Sequence, residues 1–182
     1  MSRNINEINY PPSIINLLNR YNYVSISEVW QPIDLENFEK IKEKRLGHPS
    51  EGAALGLITI SEDRLVLAKR SGPNSGWALP GGRVEIGEEF DTAMIREVKE
   101  ETGLAVTIDL ALTIEYKTFT LSDGQSLNIW LAVFKGHVIS GDQPRQTEEA
   151  LKEGLEIGVF TLDTLPVDML AGDKQKITDF FK

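Results

Sequence analysis

Residues 81–104 read GGRVEIGEEFDTAMIREVKEETGL, and the second half of this stretch decides how the chain folds. On a helix at about 100° per residue, with Phe90 at 0°, Met94 lies at about 40°, Val98 at about 80° and Ile95 at about 140°. This apolar stripe should face a sheet. Glu101 then falls at about 20°, inside the stripe, Glu97 at about 340°, beside it, and Glu100 at about 280°, flanking both, while Lys99 points away at about 180°. At least two carboxylates therefore project from the buried face of the helix. They also stand at its negative end, where the macrodipole opposes them.

An isolated carboxylate is costly to bury. Something positive must compensate, and one Arg96 cannot neutralise three acids. A hard divalent cation with oxygen ligands can, and Mg²⁺ is held by a few carboxylates together with substrate phosphates. Residues at i, i+3 and i+4 share neighbouring rows of a helix, so Glu97, Glu100 and Glu101 can share one metal cluster. Upstream, Leu79-Pro-Gly-Gly82 supplies a second wall, its paired glycines allowing close backbone approach. Gly103 should stop the helix.

Outward from this helix, the pattern is mostly strands. Ala53–Ile60 (AALGLITI) and the alternating Arg64–Lys69 (RLVLAK) flank the Ser61-Glu-Asp63 turn as a hairpin. Ser71–Gly76 reads as a loop by its residue types, and Trp77-Ala-Leu79 as a short strand ending at Pro80-Gly81-Gly82. Leu104–Lys117 and Leu127–Lys135 flank the Ser122-Asp-Gly124 turn. Gly141–Glu153 is a polar loop or short helix, Leu155–Phe160 a last strand and Asp173–Lys182 a terminal helix. The order is not a regular βαβ alternation, which favours α+β, a mixed sheet with helices on its faces.

Residues 1–50 read differently. Ile14, Ile15, Leu17, Leu18 and Tyr21 follow Pro11-Pro12, a helix start. Leu35, Phe38, Ile41 and Leu46 follow Asp34, an N-cap, with the basic Lys40–Arg45 on the exposed side. Tyr23–Trp30 alternates weakly, as a strand, and Gly47-His-Pro-Ser50 is a linker. The chain thus divides into a mostly helical N-terminal extension at 1–50, for capping or dimerisation, and a main domain at 51–182.

Composition removes several classes. The 182 residues carry a formal charge of −9 and no cysteine. There is no disulfide framework, thiol nucleophile or Cys-built zinc site. No apolar run reaches the roughly 18 residues of a membrane span, and MSRNINEINYPPS has no signal-peptide core. The acidity argues against nonspecific nucleic-acid binding. A cytoplasmic enzyme or binding protein is expected. Residues 1–50 are neutral, so the main domain carries the whole charge. Glu85–Glu101 alone has seven acids against two bases, a net −5.

The residues now spell a pattern. Gly82, five residues, Glu88, seven residues, then Arg96-Glu97-Val98-Lys99-Glu100-Glu101-Thr102-Gly103-Leu104 resembles the Nudix box, G-x5-E-x7-R-E-U-x-E-E-x-G-U, at every fixed position. The likeness runs from about Gly52 to Pro166 and leaves the first 50 residues unexplained. The resemblance implies a Nudix fold, a mixed sheet between helices with the box as loop-helix-loop. It implies an enzyme that hydrolyses a nucleoside diphosphate linked to another moiety, by attack of a water activated by Mg²⁺ or Mn²⁺. It places Glu97, Glu100, Glu101 and the Gly81 carbonyl on the metal, Arg96 as the residue orienting the carboxylates and Glu88 as its ion-pair partner. For the general base it leaves Glu97 and a later loop acid, with Glu153 preferred over Glu148 and Glu149.

Substrate selection is thinner. Where some Nudix subfamilies carry a proline or tyrosine marker beyond the box, this chain has Thr118-Phe-Thr-Leu-Ser122. An NDP-sugar or ADP-ribose substrate and an NTP or dNTP substrate both stay open. Arg70, Arg83 and Lys69 are candidate phosphate ligands. Trp77, Phe119, Trp130 and Trp30 are candidate stacking platforms, with core packing the alternative for each. His48 and His137 form no metal spacing. The extension, through Trp30 and Pro32, is a candidate cover for the nucleotide across a homodimer. The competing reading is a catalytically silent Nudix-like module that senses nucleotides. The intact acids oppose it.

Overall fold

In the computed structural model, the described residues are 9–22, 24–71, 75–139 and 142–181. Residues 1–8, Tyr23 at the head of the expected strand, 72–74 of the expected loop, Ser140, Gly141 and Lys182 lie outside them, as do the side chains of Lys44 and Ala171.

The elements run α1 (Pro12–Arg20), β1 (Ser25–Pro32), α2 (Leu35–Gly47), β2 (Ser50–Ser61), β3 (Arg64–Arg70), β4 (Gly76–Ala78), β5 (Gly81–Glu85) and α3 (Phe90–Thr102). There follow β6 (Val106–Thr120), β7 (Ser126–Val138), α4 (Glu148–Lys152), β8 (Glu156–Phe160), a 3₁₀ turn at Leu162–Thr164 and α5 (Ala171–Phe180). The strands form one mixed sheet in the order β1-β6-β7-β2-β3-β4, with β5 on β2 and β8 on β3. β1/β6 and β2/β7 are parallel; the other pairs are antiparallel.

Strand alternation sends side chains to two cores. On one face Ala54, Ile58, Ile114, Ala132 and Phe134 meet α1 through Ile14 and Leu17, and α3 through Phe90, Met94 and Val98. On the other, Leu57, Leu131 and Val133 meet Met169 and, on α5, Ile177. Each large side chain buried this way contributes about 1.5–3 kcal/mol. The sheet is sandwiched between helices, the α+β architecture expected.

Local signals hold where they are strong. Asp34 caps α2, its Oδ1 accepting the Asn37 N–H at 2.8 Å. Gly103 ends α3 in the left-handed region, φ 72°, its N–H bonded to the Lys99 carbonyl. Two expectations are corrected. Pro80-Gly81-Gly82 is not simply the end of a strand: Gly81 opens β5, and Gly81–Glu85 pairs along Ser50–Leu55. Ile95 does not face the sheet and is 40% exposed. At about 140° it lies past the edge of an apolar stripe centred near Met94.

The N-terminal segment is woven into the same body. β1 extends the sheet along Thr113–Thr120, and α1 sits in the main core. α1 also holds the start of α3: Arg20 pairs with the buried Asp91, and Asn16 Nδ2 donates to Glu89 at 2.8 Å. The Tyr21 hydroxyl donates to the same Asp91 carboxylate at 3.2 Å. Burial and that negative neighbour push the Tyr21 pKa up to about 12. No helix among the described residues is long and apolar enough to cross a membrane.

Candidate active site

The last two turns of α3 lie against the Gly81–Gly82 backbone. Glu101 is buried, and its Oε2 accepts the Gly81 N–H at 2.9 Å. Arg70, at the end of β3, donates through Nη2 to Glu101 Oε1 at 3.0 Å and to the Gly81 carbonyl. Burial raises the Glu101 pKa to about 7; Arg70 and the Gly81 amide pull it down, and Glu97 and Glu153 push it further up. Glu97 is also raised, first by burial, while Arg96 opposes the shift and Glu100 and Glu153 add to it.

Glycine is required twice here. Gly81 has φ 140°, and a Cβ there would meet the Ala54 carbonyl and come within 2.8 Å of the Leu55 Cα. A Cβ on Gly82 would fall on the Glu97 carboxylate. The paired glycines thus let one backbone strand touch both acids.

Arg96 is the organising cation. Its Nε and Nη2 fork onto the Glu88 carboxylate, both at 2.9 Å. Its Nη1 donates to Glu97 at 2.9 Å and Glu100 at 3.0 Å, and its Nη2 reaches the Arg83 carbonyl at 2.9 Å. These bonds to Arg96 hold Glu88 below the usual carboxylate range. Glu100 is the most open of the trio, and its carbonyl accepts from the Thr147 hydroxyl, which ties α4 to α3. Thr147 also caps α4, accepting the Ala150 N–H at 3.0 Å. Glu153 follows as the C-cap of α4, close enough for its charge to act on Glu97 and Glu101.

The donor set is all oxygen, which suits a hard cation such as Mg²⁺. Among the described residues no three acids already converge as a metal-ligating group. Arg96 instead pairs with Glu88, Glu97 and Glu100 together, and Arg70 with Glu101. The chemistry of the donors fits a metal, and the guanidiniums mark where positive charge is demanded.

The other predicted residues separate. Phe119 reaches the wall of a cavity of about 1130 Å³ that also includes Gln31, Asn37, Lys117 and Asp173. Trp77 does not line that cavity; its ring packs edge-on against Phe160 at 4.8 Å, under Lys69. Lys69 pairs with Asp168 at 3.2 Å, and the Arg83 side chain is exposed. Trp130 is core, its ring packed at a tilt against Tyr10 and Tyr116, whereas Trp30 is 52% exposed. His137 bonds to Asp109 at 2.7 Å on the surface, and His48 is exposed. Asp173, Lys117 and Asn37 were not foreseen as site residues. Asp173 offered only an ordinary first-turn acid of a helix as its signal.

Comparison with known proteins decides the family. A family model of the NUDIX domain matches residues 50–181. The chain belongs to the Nudix family. This Nudix chain is 32% identical over 135 residues to the ADP-ribose pyrophosphatase of Methanocaldococcus jannaschii, covering 74% of this chain and 62% of that protein. It is 40% identical over 72 residues to a MutT-like protein of Streptomyces ambofaciens, covering 40% of this chain and 46% of that one. The matches thus span less than two thirds of these two curated relatives. Among solved structures, the MutT NUDIX hydrolase from Burkholderia pseudomallei aligns with a TM-score of 0.50 at 26% identity, covering 69% of this chain and 94% of that one.

Proposed function

We propose that the protein is a pyrophosphohydrolase, dependent on Mg²⁺ with Mn²⁺ as a substitute, acting on a nucleoside diphosphate linked to another moiety. The observation that carries this reading is the buried Glu101 beside Glu97, both against the Gly81–Gly82 backbone, inside a complete Nudix box. Under this reading the substrate is a small nucleotide and the protein works in the cytoplasm.

Glu97, Glu100, Glu101 and the Gly81 carbonyl would hold the metal. When bound, such an ion neutralises the diphosphate and lowers the pKa of water. The chain's own residues do the rest. Arg96 holds Glu97 and Glu100 in register, and Glu88 and the Arg83 carbonyl hold Arg96. The role of base falls to Glu97 or Glu153: burial and its acidic neighbours raise the proton affinity of Glu97, while Glu153 is exposed and reaches the cluster from α4. Arg70 would be free to meet substrate phosphate if a metal ion took its place on Glu101 and the Gly81 carbonyl.

The test is a hydrolysis panel of ADP-ribose, UDP-glucose, ATP, dGTP and 8-oxo-dGTP with Mg²⁺ and with Mn²⁺, reading products. NDP-sugars should give a nucleoside monophosphate and a sugar phosphate; triphosphates should give a monophosphate and pyrophosphate. Tight binding with no turnover under either metal would overturn catalysis and favour the sensing module.

A further inference from the structure

The last turn of α3, which carries Glu100 and Glu101, does not end in open solvent. The final carbonyls of a helix lack partners within it. Here one later segment meets two of them: the Arg145 N–H donates to the Thr102 carbonyl at 2.9 Å, and the Thr147 hydroxyl donates to the Glu100 carbonyl. The same hydroxyl accepts the Ala150 N–H at 3.0 Å, the capping bond of α4. One oxygen therefore joins the end of α3 to the start of α4.

The far end of α4 is closed as firmly. Gln146 donates through Nε2 to the Leu155 carbonyl, and the Leu155 N–H donates to the Ala150 carbonyl at 2.8 Å. Ala150 and Leu155 are buried. Between these anchors stands the exposed Glu153, its N–H bonded to the Glu149 carbonyl at 3.0 Å. Gly154 then turns the chain at φ 67°, so near the end of β3 that a Cβ on it would lie 3.3 Å from Ser71 Oγ. Ser71 follows Arg70, the partner of Glu101. The loop thus lies beside the acidic cluster, and the charge of Glu153 acts on both Glu97 and Glu101.

Building on the hydrolase reading above, we infer that Thr147 and Gln146 are positioning residues: they dock α4 on α3 and fix where the Glu153 carboxylate stands relative to Glu97 and Glu101. Thr147 is the pivot, because a hydroxyl donates and accepts at once. Valine has the same shape and can do neither.

The test compares the wild type with Thr147→Val, Thr147→Ser, Gln146→Ala, Glu153→Gln and the double variant Thr147→Val/Glu153→Gln. Gln146→Ala removes an exposed side chain and carries the same test should Thr147→Val fail to fold. Calorimetric titration with Mn²⁺ alone reads the cluster without turnover. Thr147→Val should bind Mn²⁺ roughly tenfold more weakly, the usual effect of losing a group that orients ligands. Its kcat should fall by roughly tenfold to a hundredfold with KM nearly unchanged. Thr147→Ser keeps the hydroxyl and should stay near the wild type in both. Gln146→Ala should move both in the direction of Thr147→Val. In the Glu153→Gln background, Thr147→Val should cost nothing further, because the two residues act as one unit. Equal Mn²⁺ affinities in the wild type, Thr147→Val and Gln146→Ala overturn the inference. So do a Thr147→Ser as impaired as Thr147→Val, and additive losses in the double variant. Absence of turnover by the wild type, with Mn²⁺ affinity still coupled between Thr147 and Glu153, overturns the hydrolase reading alone.

Discussion

Arg70 and Glu101, 31 residues apart in sequence, meet at 3.0 Å, and the same Nη2 of Arg70 also donates to the Gly81 carbonyl. Two proposed metal ligands therefore share one guanidinium as their cation. A metal must displace it, at a cost of about 1.5–3 kcal/mol for a hydrogen bond to a charged group. Arg70→Ala should bind Mg²⁺ roughly tenfold more tightly, and its melting temperature should rise more on Mg²⁺ addition than that of the wild type. Equal Mg²⁺ affinities by calorimetry would remove Arg70 from the metal site.

The two glycines of the Gly81–Gly82 turn should separate fold from function. At Gly81, φ 140° and the nearby Ala54–Leu55 backbone leave a Cβ nowhere to go. Gly81→Ala should lose roughly 1–3 kcal/mol or more of stability. At Gly82 the obstacle is the end of a movable Glu97 side chain. Gly82→Ala should unfold within about 1 kcal/mol of the wild type while hydrolysis falls sharply, since Glu97 is pushed aside. Urea unfolding beside initial-rate assays checks the contrast.

Arg96 makes five hydrogen bonds, two of them the fork on Glu88. Arg96→Lys keeps the charge and loses the fork. It should cost roughly 1–3 kcal/mol in urea unfolding, because partly buried carboxylates lose partners. An unchanged unfolding midpoint would show that the fork is dispensable to the fold.

These contacts explain what the sequence could and could not reveal. α3 was legible because Phe90, Met94 and Val98 repeat at the helical period and Gly103 ends them in a backbone region that suits glycine. The inward acids were legible for the same reason, because their angle conflicts with their charge. β5 was hidden, since Gly81-Gly82 looks like turn punctuation and becomes strand only by pairing with Ala53–Leu55. The Arg70–Glu101 contact joins two elements through tertiary packing, so no local spacing announces it. The cavity draws on β1, α2, β6 and α5, and no single stretch of sequence contains its pattern. The N-terminal helix and strand were visible as patterns, but their place in the sheet was not.

Asp173 offers a stability readout independent of metal. Burial raises its pKa above the ordinary value, while the Leu79 N–H and the charges of Lys176, Lys117 and Arg70 oppose the rise. A carboxyl whose folded pKa exceeds its unfolded one binds more protons in the native state. Between those two values stability falls as pH rises, and above the folded value the loss is complete. At pH 7, above the unfolded value, the raised pKa makes Asp173 a net liability to the fold. Asp173→Asn retains an acceptor for the Leu79 N–H and removes the buried charge. It should melt higher than the wild type at pH 7, and the difference should shrink as pH falls toward about 4, the unfolded value. Paired thermal melts from pH 7 to pH 4 read this directly. A variant less stable at pH 7 would mean that Lys117, Lys176 and Arg70 outweigh burial, and that Asp173 holds α5 to the Leu79 turn as an ion pair.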